Sequence, residues 1–285
     1  MNKKIRVILA GTGKFSAEIF EAIIKDSDFE VLSLVSQPNR KMDRNKNILT
    51  TEVFNLAQKY NIEIFQPLKI SEIYDELAKK EFDFFITASF GQFIPSSILK
   101  LPKILPLNVH GSLLEKYRGA APIQYALLNN DIKTGLTLIE MTSKMDAGDM
   151  LFKTEININE NDTALEIFDR LAKTGADNIC KWIKQIFVGD FVRIKQDESK
   201  VMLAPKILND EAELFFSLTK KEALSKIRAF NDQPGAFILY NEKRLKIFRA
   251  TNMKISTPIS LNFADGKLYL IEYQFEGKKR VKHEI

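Results

Sequence analysis

Residues 5–36, IRVILAGTGKFSAEIFEAIIKDSDFEVLSLVS, contain the pattern from which the fold of the first part of this chain is predicted. The continuous apolar run Ile5–Ala10 predicts a buried strand, and Lys14–Lys25 carries its apolar residues at helical spacing. A second run rich in valine and leucine follows at Glu30–Ser36. Strand, helix and strand in this order predict a βαβ unit, the building block of a parallel sheet that helices cover on both faces.

The same alternation continues through the first two thirds of the chain. Further strands are predicted at Glu63–Phe65, Phe82–Ser89, Leu107–His110, Gly135–Met141 and Met150–Ile156, and further helices at Thr51–Tyr60, Ser71–Lys80, Pro122–Asn129 and Asp162–Ile186. The sequence therefore predicts an α/β domain over residues 1–188, built on a Rossmann-like parallel sheet.

A second domain of different character is predicted behind the first. Residues 189–206 are polar and show little periodicity, which indicates a linker. A helical pattern follows at Thr219–Phe230, and short alternating stretches follow at Ala236–Tyr240, Arg244–Ala250 and Lys267–Tyr273. Residues 207–285 are therefore expected to form a small β-rich domain, an OB-like barrel.

Composition limits the class of protein. The chain of 285 residues is long enough for two domains, and its single cysteine, Cys180, excludes an internal disulfide. The sequence has no Cys/His cluster, so no metal is expected. No apolar run approaches the roughly 18 residues that a membrane-spanning helix needs. Without a signal-peptide pattern, the protein is expected in the reducing cytoplasm.

The charge is unevenly distributed along the chain. Residues 1–199 hold 26 Lys and Arg against 27 Asp and Glu, whereas residues 200–285 hold 16 against 10. A basic second domain behind a neutral first one indicates a polyanionic partner. A general bias toward lysine explains the charge equally well, and charge alone does not decide between the two.

The turn after the first strand is only partly similar to a dinucleotide-binding loop. Gly11-Thr12-Gly13 matches the start of the G-x-G-x-x-G pattern, but Ser16 stands at the third glycine position. The second predicted strand ends at Ser36-Gln37, with no acidic residue to bind a ribose. The pattern therefore favours a tight turn near an anionic or polar ligand over a nicotinamide site.

Two polar side chains share one predicted strand. Asn108 and His110 lie two residues apart, so an extended strand points both to the same side. At the carboxyl end of a sheet strand, the amide can donate to a developing oxyanion and the imidazole can pass a proton. Asp146 lies in a predicted turn, where a carboxylate can orient a histidine. On composition alone, a structural histidine and a turn-forming aspartate are the commoner explanations.

A longer pattern resembles a known family. Residues 108–151, NVHGSLLEKYRGAAPIQYALLNNDIKTGLTLIEMTSKMDAGDML, are similar to the signature of the methionyl-tRNA formyltransferase family. SQPNRKMDRN at 36–45, APKI at 204–207 and IRAFNDQPGAF at 227–237 are similar to further motifs of that family. The resemblance extends from about Ile5 to about Arg249. It raises Asn108, His110 and Asp146 from structural residues to candidate catalytic residues.

The resemblance also implies a reaction and a set of binding residues. The formyl donor would be 10-formyltetrahydrofolate, and the acceptor would be the amino group of methionyl initiator tRNA, in translation initiation. Asn108 and His110 would stabilise an oxyanion, while Asp146 would hold His110 and help to remove the amine proton. The expected folate-binding residues are Phe90, Gly91, Ile94, Ser112, Leu113, Leu114 and Glu115. The expected tRNA-binding residues are Arg40, Lys41, Arg44, Lys46 and Lys206.

The chain departs from the family pattern at three places. Glu115 stands where the family has proline, Gly13 stands where its first loop has proline, and its basic Gly-Arg-Gly-Lys-Lys loop is replaced by DRNKN at 43–47. These departures concern RNA and folate contacts rather than the catalytic trio.

Two other classes of function remain open at this stage. One is a formyltransferase for an amino-sugar nucleotide or a purine precursor, and the other is an RNA-binding protein with an inactive transferase fold. The protein is expected to be a monomer.

Overall fold

A computed structural model of the protein describes residues 3–39 and 48–283. The chain divides into two compact units, and each unit combines several segments. Unit 1 consists of Met1–Arg118, Gly135–Glu155 and Asp169–Met202, and unit 2 of Gly119–Thr134, Ile156–Phe168 and Leu203–Ile285. The domain limits expected from the sequence, 1–188 and 207–285, stay a prediction.

The first two thirds of the chain form a seven-stranded sheet with helices between its strands. The strands are β1 (Ile5–Gly11), β2 (Phe29–Val35), β3 (Ile64–Phe65), β4 (Phe84–Ala88), β5 (Leu105–His110), β6 (Lys133–Glu140) and β7 (Met150–Asn157). The helices are α1 (Lys14–Lys25), α2 (Glu52–Tyr60), α3 (Tyr74–Ala78), α4 (Ser96–Leu99), α5 (Pro122–Leu128) and α6 (Ala164–Phe187). The predicted helix at Ser71–Lys80 begins as a 3-10 turn over Ile70–Ile73.

The order of the strands confirms the predicted parallel α/β fold. The sheet runs β3-β2-β1-β4-β5-β6-β7, and β1 to β5 are parallel, whereas β6 lies antiparallel to β5. All five residues of β4 are buried, as expected for a central strand that is covered on both faces. The chain changes direction across the sheet between β1 and β4. Ligands of open α/β sheets bind at the carboxyl ends of the strands beside such a switch point.

The C-terminal part of the chain forms an antiparallel sheet, which confirms the predicted small β-rich domain. Its helix is α7 (Lys220–Ala229), and its strands are β8 (Phe237–Tyr240), β9 (Lys243–Thr251), β10 (Ser260–Phe263), β11 (Gly266–Phe275) and β12 (Val281–Lys282). The order is β10-β11-β9-β8, with β12 beside β11. Thr219 caps α7 with a capping box that includes Glu222. None of the described helices is long and apolar enough to cross a membrane.

Candidate active site

Strand β5 carries two polar residues at its carboxyl end, both on the same face. Asn108 lies opposite Thr87 of the parallel strand β4, and His110 is the last residue of β5. His110 is only 5% exposed, and Asn108 is half-buried. Because β4 and β5 are parallel, the loops that follow them, which begin at Ser89 and Gly111, leave the sheet at the same edge.

The loop between β6 and β7 brings Asp146 to this pair. The Asn108 Nδ2 amide donates to Asp146 Oδ1 at 3.2 Å, and His110 Nδ1 lies 3.5 Å from Asp146 Oδ2. The structure therefore brings together the three residues that the sequence singled out as candidate catalytic residues, although Asp146 lies 38 residues beyond Asn108. All three belong to unit 1.

A neighbouring strand fixes which way the Asn108 amide points. The Thr87 hydroxyl donates to Asn108 Oδ1 at 2.8 Å. Because Oδ1 is thereby occupied as an acceptor, the NH₂ group must face Asp146. An amide nitrogen carries two hydrogens, so Asn108 can donate one to Asp146 and the other to a bound substrate.

The two nitrogens of the His110 ring have different surroundings. Nε2 lies 2.8 Å from the carbonyl oxygen of Tyr117, and because a carbonyl only accepts, Nε2 is the donor. Tyr117 is buried and adopts φ 68°, a left-handed conformation that turns its carbonyl toward the ring. The contact of Nδ1 with Asp146 is longer than a strong hydrogen bond. Nδ1 is therefore the ring nitrogen that can exchange a proton with Asp146 or a substrate.

The loop after β5 contains four of the predicted folate-binding residues. Ser112 is fully buried and its hydroxyl donates to the Lys116 carbonyl at 2.6 Å, while its own carbonyl accepts from Thr137 Oγ1 at 2.7 Å. The Leu114 side chain packs in a small buried cluster, and Leu113 is half-buried. Main-chain contacts thus fix the shape of this loop.

Glu115, which replaces the family proline, is tied to a distant segment. Its Oε1 accepts from the main-chain N–H of Asp197 at 2.9 Å, and this hydrogen bond lowers the pKa of the Glu115 carboxyl. The carboxylate therefore has a structural partner within unit 1.

The loop after β4 contains the other three predicted folate-binding residues. The Phe90 carbonyl accepts from Thr12 Oγ1 at 2.9 Å and from Gln37 Nε2 at 3.2 Å, while the Phe90 ring is buried. Gly91 has φ 79°, which favours glycine, and Ile94 packs at the border of a buried apolar cluster. The contact with Thr12 joins this loop to the turn after β1.

Of the predicted tRNA-binding residues, the structure describes Lys206 alone. Arg40, Lys41, Arg44 and Lys46 lie outside the described residues. Lys206 is exposed and lines a shallow pocket of unit 2 together with Gln124 and Gln233. Among the described residues, no group of three or more His, Cys, Asp and Glu side chains is placed to hold a metal ion.

Two partners of the trio were missed by the reasoning from sequence. Thr87 is part of an apolar strand, where a threonine is ordinary, and only its pairing with Asn108 across β4 and β5 reveals its contact. Tyr117 acts through its main-chain carbonyl, which leaves no signal in the residue type.

Solved structures that resemble this chain include a sugar formyltransferase and HypX. A sugar 3N-formyl transferase, WlaRD, has a TM-score of 0.72 at 22% identity and covers 98% of this chain and 100% of its own. HypX from Aquifex aeolicus in complex with tetrahydrofolic acid has a TM-score of 0.65 at 17% identity and covers 98% of this chain and 45% of its own. At these identities, the likeness shows the shared fold alone.

Sequence comparisons define the family more narrowly. A formyl transferase model matches residues 3–183, and a model of the formyl transferase C-terminal domain matches residues 206–284. The methionyl-tRNA formyltransferase of Mycoplasmopsis pulmonis is 49% identical over 98% of this chain and 96% of its own length. That of Lactobacillus johnsonii is 39% identical over 96% of this chain and 92% of its own. The chain therefore belongs to the methionyl-tRNA formyltransferase family.

Proposed function

We propose that this protein transfers the formyl group of 10-formyltetrahydrofolate to the amino group of methionyl initiator tRNA, a step of translation initiation. The observation that carries the proposal is the cluster of Asn108, His110 and Asp146 at the carboxyl edge of the sheet. It occurs in a chain that is 49% identical, over nearly its whole length, to a methionyl-tRNA formyltransferase.

The reaction needs a group that stabilises negative charge on oxygen. The uncharged amine nitrogen of methionine attacks the formyl carbon and forms a new C–N bond, and the formyl oxygen becomes negatively charged. The tetrahedral intermediate then collapses and breaks the bond between the formyl carbon and N10 of the folate. The attacking nitrogen loses one proton and N10 gains one, so the products are a formamide and tetrahydrofolate.

Asn108 suits the role of oxyanion donor. The hydrogen bond from Thr87 holds its amide in one orientation, with the NH₂ group toward Asp146 and the second hydrogen left for the formyl oxygen. A donor that is already oriented needs no reorganisation when charge develops.

His110 and Asp146 suit the movement of the proton. The contact of His110 Nε2 with Tyr117 fixes the ring plane, so Nδ1 faces the carboxylate at 3.5 Å. Because Nε2 carries the proton of the neutral ring, Nδ1 can accept a proton and, once protonated, donate to the oxyanion; Asp146 can accept the proton that leaves the amine, directly or through water.

We place the folate beside the two loops that follow β4 and β5. Phe90, Gly91 and Ile94 supply one side, and the segment Ser112–Glu115 supplies the other. Both loops leave neighbouring parallel strands at one edge, which supports a shared pocket there. Gly91 lets the folate approach the main chain closely, because it has no side chain.

The proposal includes the partner and its setting. We propose that methionyl initiator tRNA contacts Arg40, Lys41, Arg44, Lys46 and Lys206, of which Lys206 is exposed in unit 2. We also propose that the protein is a monomer, because one chain supplies the whole trio, and that it acts in the cytoplasm, where its relatives' substrate, methionyl-tRNA, is used in translation. Size-exclusion chromatography with light scattering should then give a mass near 32.7 kDa.

The test is formyl transfer from 10-formyltetrahydrofolate with three parallel acceptors: charged methionyl initiator tRNA, free methionine and an amino-sugar nucleotide. We expect turnover with the tRNA alone. Turnover with the sugar nucleotide instead would establish the alternative function within the same superfamily. An RNA-binding protein without activity would bind the tRNA but would not bind folate.

Variants of the trio test the assignment of residues. Asn108→Ala removes the oxyanion donor, and we expect a loss of about 10²–10³ in kcat. His110→Ala should cause a loss of at least similar size. Near-normal turnover in either variant would remove that residue from the mechanism.

A further inference from the structure

The Gln196 side chain binds two main-chain carbonyls of the loop that carries Asp146. The Gln196 amide donates through Nε2 to the carbonyl oxygen of Asp146 at 2.8 Å and to that of Gly148 at 2.7 Å. An amide nitrogen has two hydrogens, so one group can serve both carbonyls. Gln196 comes from the aperiodic segment 189–206, at the point where that segment passes beside β7, since Ile194 exchanges two main-chain hydrogen bonds with Met150.

The backbone of Asp146 needs this support. Asp146 adopts φ 50°, in the left-handed region, which aspartate adopts more readily than most residues but which still costs energy relative to an extended or helical backbone. A residue keeps such a conformation only where its surroundings hold it. The conformation matters because it directs the Asp146 carboxylate toward Asn108 and His110.

The orientation of Gln196 is in turn fixed by Arg118. Gln196 Oε1 accepts from Arg118 Nε at 2.9 Å, and a guanidinium can only donate. The oxygen of Gln196 must therefore face Arg118, and its NH₂ group must face the Asp146 loop. Arg118 is only 8% exposed, and its other nitrogens bind both oxygens of Glu198 at 3.2 and 2.8 Å. A two-point contact of this kind fixes the plane of the guanidinium.

We propose that Gln196 is a positioning residue of the transfer reaction, which acts by holding Asp146, and that Arg118 keeps Gln196 in the required orientation. This inference rests on the proposed function, because it assumes that Asp146 takes part in the transfer. Gln196 itself touches main-chain atoms rather than reacting atoms. A displacement of about 1 Å at a reacting group can lower the rate about 10²-fold.

The decisive variant is Gln196→Met, which keeps the length of the side chain and removes its hydrogen bonds. We would measure kcat and both KM values for formyl transfer to methionyl initiator tRNA, in the parent and in an Asp146→Ala background. Single-turnover assays with labelled donor extend the measurement to slow variants. Lys195→Met is the control for the introduced methionine, because it places the same side chain at an exposed neighbour; since it also removes a charge, kcat at saturating tRNA is the value to compare.

The inference predicts a fall of about 10²-fold in kcat with both KM values within about threefold, and no further fall in the Asp146→Ala background. An equal fall in both backgrounds, a change in KM alone, or no change would overturn it. If Gln196→Met does not fold, Gln196→Glu takes its place, because it keeps the acceptor for Arg118 and loses only the two donors. If the parent protein has no transfer activity, the proposed function is contradicted. If the parent protein is active and Gln196→Met leaves its kcat unchanged, this inference alone is contradicted.

Discussion

At the scale of single residues, the proposed chemistry depends on which way a few polar side chains point. Asn108 can serve an oxyanion only while its NH₂ group faces the site, and the Thr87 hydroxyl and the Asp146 carboxylate together favour this orientation. His110 likewise depends on one main-chain carbonyl, that of Tyr117. The supporting residues Thr87 and Tyr117 should therefore affect the rate through the side chains that they orient.

Thr87→Val tests the orientation of Asn108. Valine has nearly the same shape as threonine but donates no hydrogen bond, so Asn108 Oδ1 loses its partner and the amide can rotate. We expect kcat to fall about tenfold, and the free energy of unfolding to fall by about 1–3 kcal/mol because an acceptor loses its hydrogen bond. Steady-state kinetics and urea unfolding measure the two effects.

Ser33→Ala is the control for Thr87→Val. Ser33 is buried in β2, and its hydroxyl has no hydrogen-bond partner among the described residues. Its removal should leave kcat within experimental error and should not lower stability, because a buried hydroxyl without a partner contributes no hydrogen bond. Equal kinetic effects of the two substitutions would show that a buried hydroxyl as such, and not the contact with Asn108, matters.

Gly148 should tolerate no side chain. A Cβ at this position would overlap the Glu140 carbonyl oxygen. Gly148→Ala must therefore push the Asp146 loop away from β6, and we expect a loss of about 1–3 kcal/mol of stability together with lower kcat. Gly13→Ala is the comparison, because a Cβ there meets nothing within 4 Å; its cost should stay below about 1 kcal/mol. Thermal unfolding that ranks the two variants in the opposite order would contradict this account.

At the scale of elements, α1 and α2 are joined by a charged contact that makes stability depend on pH. Lys59 and Tyr60 of α2 both donate to Glu21 of α1 at 2.7 Å. These hydrogen bonds, that of Lys59 above all, lower the pKa of Glu21 from 4.5 to about 2. A lowered carboxyl pKa stabilises the fold above about pH 4.5, and this contribution disappears as the pH falls toward 2.

Glu21→Gln tests this contact. We expect the variant to lose about 1 kcal/mol of stability at pH 7, a value reduced by solvent screening, and to differ little from the parent near pH 2. Urea unfolding across this pH range measures the difference. Glu76→Gln, at an exposed position of α3, should change stability by less than about 0.5 kcal/mol. A Glu21→Gln effect that persists unchanged at pH 2 would show that the carboxylate charge is not its cause.

The elements that the sequence predicts well are those with a strong apolar pattern. The buried run of β4 and the amphipathic spacing of α1 each appear at or close to their predicted limits. β10 and β12 were missed because they are short, with four and two residues, and β12 is exposed. Strands of this kind form because a neighbouring strand supplies hydrogen bonds, and that information is not local.

The residues of the candidate site also fall into those that the sequence predicts and those that it does not. Asn108 and His110 could be paired from the two-residue period of a strand, whereas Asp146 was joined to them by the resemblance to the family. Gln196 lies in a segment without periodicity. Its hydrogen bonds go to the carbonyls of Asp146 and Gly148, which come close to it only when the chain folds. Residue type and spacing do not contain such contacts.

At the scale of the whole molecule, charge and chemistry are separated along the sequence. The trio belongs to unit 1, whereas the excess of positive charge lies in residues 200–285, nearly all in unit 2. A substrate that carries its reactive group at the end of a long polyanion suits this separation, since phosphate contacts can supply affinity without touching the reacting atoms. Affinity for tRNA and the rate of transfer should therefore be separable by mutation.

Lys206→Ala tests this separation through the dependence of binding on salt. Each lost phosphate contact should reduce the slope of log affinity against log salt concentration by about 0.7–0.9, whereas kcat at saturating tRNA should stay near that of the parent. Lys100→Ala is the control. Lys100 is an exposed lysine that follows α4 and precedes β5, so it lies away from the carboxyl ends of the strands. Filter binding from low to physiological salt compares the two variants. If the slopes of both variants match that of the parent, Lys206 makes no phosphate contact. If both slopes fall equally, the loss of net charge is the cause, because a phosphate contact of Lys206 would lower the slope of Lys206→Ala alone.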